Sequence, residues 1–154
     1  MVRFLVTNAT GYISLHIVNL LLKQGFFVRG TVRSLNDEIE SFLKNQIRLE
    51  LVEADLLEPE SWYNAVQNID IVIHVITPSP VERPGDGQGL MMPSVRGTLN
   101  VLNAAANSNV KRVIVNSSAL TMLGSSNKEK IDENDWADVC ISFYGHFSLM
   151  HRNF

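Results

Sequence analysis

The sequence predicts an α/β domain: a doubly wound parallel sheet of about five strands in the order 3-2-1-4-5, with helices on both faces. Two observations carry that prediction. Short runs dense in Val, Ile, Leu and Phe recur along the 154 residues, the unbroken apolar kind expected of strands covered on both faces. Between them stand segments whose apolar residues recur at helical spacing.

The first run, in residues 2–14 (VRFLVTNATGYIS), is a strand through Val6, a turn of small residues from Thr7 to Gly11, and a helix opening at Tyr12. Ile13, Ile17, Val18, Leu21 and Leu22 give that helix an apolar side, and Gly25 closes it. Residues 26–33 (FFVRGTVR) form the second strand, ending on a basic residue. A short charged helix is expected over about residues 37–44, with Ile39 and Leu43 on one face. Residues 48–53 (RLELVE) read as the third strand, and Ala54, Asp55 and Leu56 leave it. Pro59 suits a helix start, with Trp62, Ala65 and Val66 as the apolar side.

Residues 70–76 (DIVIHVI) read as a central strand, and His74 inside it as a core histidine with its polar atoms satisfied. A long loop rich in proline and glycine is expected over residues 77–89. The next helix is expected over about residues 93–107, with Val95, Leu99, Leu102 and Ala106 forming its apolar face. Residues 111–117 (KRVIVNS) are the fifth strand, and the chain then turns polar over residues 124–135.

Composition narrows the function classes. A hydrophobic fraction of 45% supports a packed core rather than disorder. The net charge of −3, with no basic stripe, argues against nucleic acid as a partner. Cys140 is the only cysteine, so no internal disulfide framework forms, and no His/Cys/Asp cluster has metal spacing. No apolar run reaches the length of a membrane span, and the N-terminus enters a strand without a leader's basic start. A soluble protein of the cytoplasm is the expectation.

The chemistry is expected at the first turn. A strand, a tight turn and a helix start aim unpaired backbone N–H groups and the helix dipole at one spot, which suits a phosphate. Positions 8, 11 and 14 have the spacing of a dinucleotide fingerprint, but only Gly11 is glycine; Asn8 and Ser14 fill the other places. Asn tolerates left-handed backbone, so Asn8 is expected to keep the turn, with its side chain projecting where a pyrophosphate approaches and weakening the binding. Ser14 is expected to crowd the helix against the strand. Ligands of such sheets lie beyond the C-terminal strand ends, where Asn8, Arg33, Asp55, Thr77 and Ser118 fall.

The segments VTNATGYI, VRGTVRS, EADLLEPESW, VIHVITPSP, PSVRGTLNVLNAA, VKRVIVNSSA and DENDWAD together resemble the extended short-chain dehydrogenase/reductases, in particular the dihydroflavonol-4-reductase-like branch. They follow that order across nearly the whole chain. The resemblance implies a Rossmann-like domain that holds NADP and transfers hydride to a small-molecule carbonyl. It places Gly11, Tyr12 and Ile13 at the pyrophosphate and Arg33 at the adenosine 2′-phosphate. Arg33 also reads as a solvated cation at a strand end. Asp55 and Leu56 are implied at the adenine, and Val75 and Thr77 along the cofactor. Glu40 stands near the place of the family's further lysine, and Ile76 is bulkier than the usual alanine.

The resemblance also implies a catalytic serine, tyrosine and lysine. Ser118 matches the serine and Tyr144 the tyrosine, although Tyr144 also reads as an ordinary half-buried aromatic. One helical turn beyond it, where the lysine belongs, stands Ser148, which carries no charge to lower the tyrosine pKa. Neither His146 nor His151 replaces it. Members of that family continue well beyond this length and add a substrate-binding subdomain. The chain is therefore expected to be a single cofactor-binding domain, shortened, with hydride transfer impaired or absent. The alternative is a non-catalytic nucleotide-binding or interaction module. Self-association is expected through the open edge of the fifth strand and the helix of residues 93–107.

Overall fold

The structure is a computed structural model that describes residues 2–35, 43, 46–75, 88–118, 122 and 130–136. Residues 1–116 form one compact unit and residues 117–154 a second. The first unit holds β1 (Arg3–Val6), α1 (Tyr12–Lys23), β2 (Phe27–Val32), β3 (Leu49–Glu53), α2 (Pro59–Ala65), β4 (Ile71–His74), α3 (Gln88–Ala106) and β5 (Arg112–Val115). The strands make one sheet in the order β3-β2-β1-β4-β5, and every pairing is parallel. The order reverses at β1, so a crevice opens between the C-terminal ends of β1 and β4.

Side chains alternate across the sheet, and each face has its own core. Leu5 and Val72 face α2 and α3, packing with Trp62, Ala65, Val66, Ile69, Val101, Ala104 and Ala105. Val6, Val28 and Val32 face the other way, packing with Val18 and Leu21 of α1 and with Leu43. Leu43 is the described residue of the expected charged helix; the rest of that segment lies outside the described residues. Gly25, at φ +83, ends α1 as expected, its N–H donating to the Leu22 carbonyl at 3.0 Å.

Two expectations for α3 are corrected. It begins at Gln88, so Pro93 lies inside it, where its missing N–H deprives the helix of one internal bond. Its buried face is Gly97, Val101, Ala104 and Ala105 instead of the expected Val95, Leu99, Leu102 and Ala106. Val101, Ala104 and Ala105 are buried, whereas Val95 is 47% and Leu99 49% exposed. Close approach explains the choice: a Cβ on Gly97 would overlap Leu56, so the helix lies directly on the chain leaving β3. Asn100 fixes that approach by donating from Nδ2 to the Leu56 carbonyl at 3.0 Å. Among the described residues, no helix is long and apolar enough to cross a membrane.

In the second unit, residues 132–135 form a tight acidic turn. The Asn134 N–H donates to Asp132 Oδ1 at 2.8 Å and the Asp135 N–H to the Asp132 carbonyl at 3.0 Å.

Candidate dinucleotide site

The turn after β1 is built by Asn8 and by the neighbouring strand. Asn8 takes the left-handed conformation, φ 54, as its side chain permits. Its N–H donates to Thr31 Oγ1 at 3.1 Å and the Ala9 N–H to the Thr31 carbonyl at 2.8 Å, both on β2. This docking requires Gly30, where a Cβ would come within 2.6 Å of Ala9 Cβ and 3.0 Å of Leu51 Cδ2. The Gly11 N–H then closes the turn on the Asn8 carbonyl at 2.8 Å. A Cβ on Gly11 would overlap Asn8 Nδ2, so the asparagine side chain occupies the space that the glycine leaves.

Gly11 is the N-cap of α1, and no side chain caps that helix start. Its first residues, Tyr12 at 80% and Ile13 at 50%, are exposed, and the ring of Tyr12 meets His16 edge-on. Uncapped N–H groups at the positive end of a helix, beside a donor amide on Asn8, can receive an anion. The residues present therefore fit a pyrophosphate, even though two glycine places are filled.

Ser14 does not crowd the helix, contrary to the expectation. It is buried, and its hydroxyl donates to the Thr7 carbonyl at the end of β1 at 2.8 Å. The added oxygen therefore has a partner, where a bare methyl would only have taken up space. The hydroxyl becomes a tie between α1 and β1.

Beneath the turn lies a polar layer. The Val75 N–H donates to Thr7 Oγ1 at 2.9 Å. His74, buried as expected, has Thr7 Oγ1 at 3.3 Å from Nδ1 and Thr98 Oγ1 at 3.3 Å from Nε2. A neutral imidazole satisfies both contacts, one nitrogen donating and the other accepting. Burial pushes the His74 pKa down to about 4. The layer joins β1, β4 and α3 under the crevice; the sequence shows the histidine but not its partners, which come from segments far apart in the chain.

The remaining expected residues separate into four groups. Arg33 is exposed just past β2 and makes no ion pair among the described residues. Asp55 is exposed past β3, and its Oδ1 accepts from the Leu57 N–H at 2.8 Å, a local turn. Val75 is half-buried beside the crevice. These lie with Gly11, Tyr12 and Ile13 at the C-terminal strand ends. Leu56 differs: its side chain is buried in the core against Gly97, and its carbonyl accepts from Asn100. Ser118 is exposed and belongs to the second unit. Thr77, Tyr144 and Ser148 lie outside the described residues, as do Glu40 and Ile76.

The sequence matches the NAD(P)H-binding domain family over residues 9–142. It is 39% identical over 140 residues to cinnamoyl-CoA reductase 1 of Petunia hybrida, covering 86% of this chain and 41% of that protein. Dihydroflavonol 4-reductase of Arabidopsis thaliana is 34% identical over 141 residues, covering 87% of this chain and 37% of that one. Among solved structures, vestitone reductase from alfalfa (Medicago sativa) superimposes with a TM-score of 0.76 at 32% identity, over 90% of this chain and 43% of the reductase. Gre2 of Candida albicans in complex with NADPH superimposes with a TM-score of 0.80 at 27% identity, over 90% and 45%. The chain thus spans less than half the length of these relatives. With this sheet order and this turn at the switch point, the chain belongs to the NAD(P)H-binding family of Rossmann-type domains and is a relative of the dihydroflavonol-4-reductase-like short-chain reductases.

Proposed function

We propose that this chain binds NADP as the cofactor domain of a ketone- or dihydroflavonol-reductase-type protein, with hydride transfer impaired. The observation that carries the reading is the uncapped start of α1 beneath the left-handed Asn8 turn, at the sheet's switch point. Gly11, Tyr12 and Ile13 would hold the pyrophosphate, Arg33 the 2′-phosphate, Asp55 and the Leu56 backbone the adenine, and Val75 and Thr77 the path to the nicotinamide. Bound there, the nucleotide supplies the hydride; the chain's own groups bind, orient and exclude water. Arg33 favours NADP because no acidic side chain follows β2 at residues 33–35 to bind the ribose hydroxyls of NAD.

Ser118 and Tyr144 are the residues proposed to orient the carbonyl and pass its proton. The impairment rests on Ser148, which cannot hold the tyrosine's proton affinity down as an ammonium would. That same substitution favours a non-catalytic nucleotide-binding module as the second reading. Self-association is proposed through α3, where Val95 and Leu99 expose an apolar stripe, and through β5, where Ile114 and Val115 are nearly half exposed at the sheet edge.

Calorimetric titration with NADPH and NADH, followed by NADPH oxidation with a panel of ketones, tests these readings. Binding that favours NADPH with negligible turnover is expected. Brisk turnover of any ketone would refute the impairment, and no binding of either nucleotide would refute the site.

A further inference from the structure

We propose that Glu53, at the end of β3, opposes Arg33 in nucleotide selection by placing a second, negative charge at the pocket of the adenosine 2′-position. The proposal rests on the reading that the adenosine lies across the end of β2. Val32 and Glu53 are register partners in adjacent parallel strands, so Arg33 follows directly from the residue beside Glu53. The carboxylate does not turn back to the arginine. Its Oε1 accepts the Leu35 N–H at 2.7 Å, reaching over the loop that leaves β2.

The consequence is electrostatic and geometric together. A 2′-phosphate needs donors, and the guanidinium of Arg33 and the backbone N–H of Leu35 both stand on the chain leaving β2. The second of these, that of Leu35, is already taken by an anion. A phosphate arriving there meets a fixed like charge and must either displace the carboxylate or accept the repulsion. A ribose carrying only hydroxyls meets neither obstacle, because a carboxylate accepts hydrogen bonds from hydroxyls. Arg33 alone would make the site strongly selective for the phosphorylated nucleotide; Glu53 narrows that preference without removing it. The residue is invisible to the usual search after the second strand, since it sits on the third and arrives only through strand register.

The test is Glu53→Gln, which keeps an oxygen for the Leu35 N–H and removes the charge. NADPH and NADH are titrated into the unaltered chain and the variant at low and high salt. NADPH should bind roughly fivefold tighter to the variant, the size of one unit-charge interaction at a few ångströms in water, with the gain shrinking at high salt. NADH affinity should hold or weaken. Glu50→Gln makes the same change of net charge on the same strand, but Glu50 is tied to Arg29 at 2.8 Å, so the ratio of the two affinities should not move. An unchanged ratio in Glu53→Gln, with both nucleotides binding, overturns this inference alone. Failure of either nucleotide to bind the unaltered chain overturns the site and the inference with it.

Discussion

The two ends of the sheet carry similar charges and use them differently. At the N-terminal strand ends, four basic residues are committed to protein partners. Arg29 gives Nε and Nη2 to Glu50 at 2.8 Å, and Nη1 to the Ala65 and Gln67 carbonyls at the end of α2 at 2.9 and 2.8 Å. Arg48 donates to the Gly25 carbonyl at 2.8 Å, Arg3 stacks over Phe27 at 5.4 Å, and Lys111 pairs with Asp70 at 2.6 Å. The ammonium of Lys111, with the Arg3 N–H, holds the Asp70 carboxyl below the usual carboxylate range. At the C-terminal ends, the start of α1 has no cap and Arg33 has no ion pair among the described residues. At one end these four basic residues are tied to protein partners; at the other, the helix start and Arg33 are not. That difference supports the proposed nucleotide site alongside the motif spacing.

The largest expected effect probes the layer beneath the site, which is committed in the manner of the other end. His74 protonates near 6.5 when unfolded and only near 4 when folded, so the unfolded state binds the extra proton between those values. Stability therefore falls as pH drops from about 6.5 toward 4, by on the order of 3 kcal/mol at the lower limit. Urea unfolding across that window checks it. His74→Gln should flatten the profile, and an equally steep profile in that variant would remove His74 from the account.

Next in size is Arg29→Ala. It strips two carbonyls at the end of α2 and a nearly buried side chain, with only 11% of its surface exposed. A loss of about 2–3 kcal/mol is expected in denaturant melts, with the NADPH-to-NADH affinity ratio unmoved. A shifted ratio would mean that the two ends are not independent.

Ser14→Ala is a smaller test, at about 1 kcal/mol, because it leaves the Thr7 carbonyl with no hydroxyl to accept from. If Ser14→Ala were instead stabilising, the crowding expected from sequence would be the better description.

The strands, the Gly25 stop and the left-handed Asn8 were legible because each follows from residues adjacent in the chain. Ser14 was misjudged because its partner is a carbonyl at the far side of the turn, and packing was weighed without it. The buried face of α3 was misjudged because helical spacing fits more than one face, and only the packing partners choose between them. Gly97, Ala104 and Ala105 are buried for being small, which only Leu56 and the α2 surface reveal. Arg29 and Arg33 look alike in FVRGTVR; separating them takes the carbonyls of α2, contributed far along the chain. Glu53 reads as an ordinary strand-end charge until β2 and β3 are set in register.

The smallest effect on stability should accompany the sharpest effect on binding. Arg33→Ala removes an exposed side chain, so its unfolding free energy should stay within roughly 0.5 kcal/mol of the parent. Calorimetric titration of NADPH and NADH into the parent, Arg33→Ala and Arg29→Ala tests the central claim directly. The account predicts that NADPH binds the parent more tightly than NADH, that Arg33→Ala loses roughly tenfold for NADPH and little for NADH, and that Arg29→Ala keeps the parental preference. Equal nucleotide affinities in the parent, or a preference that disappears with Arg29 and survives without Arg33, would contradict it.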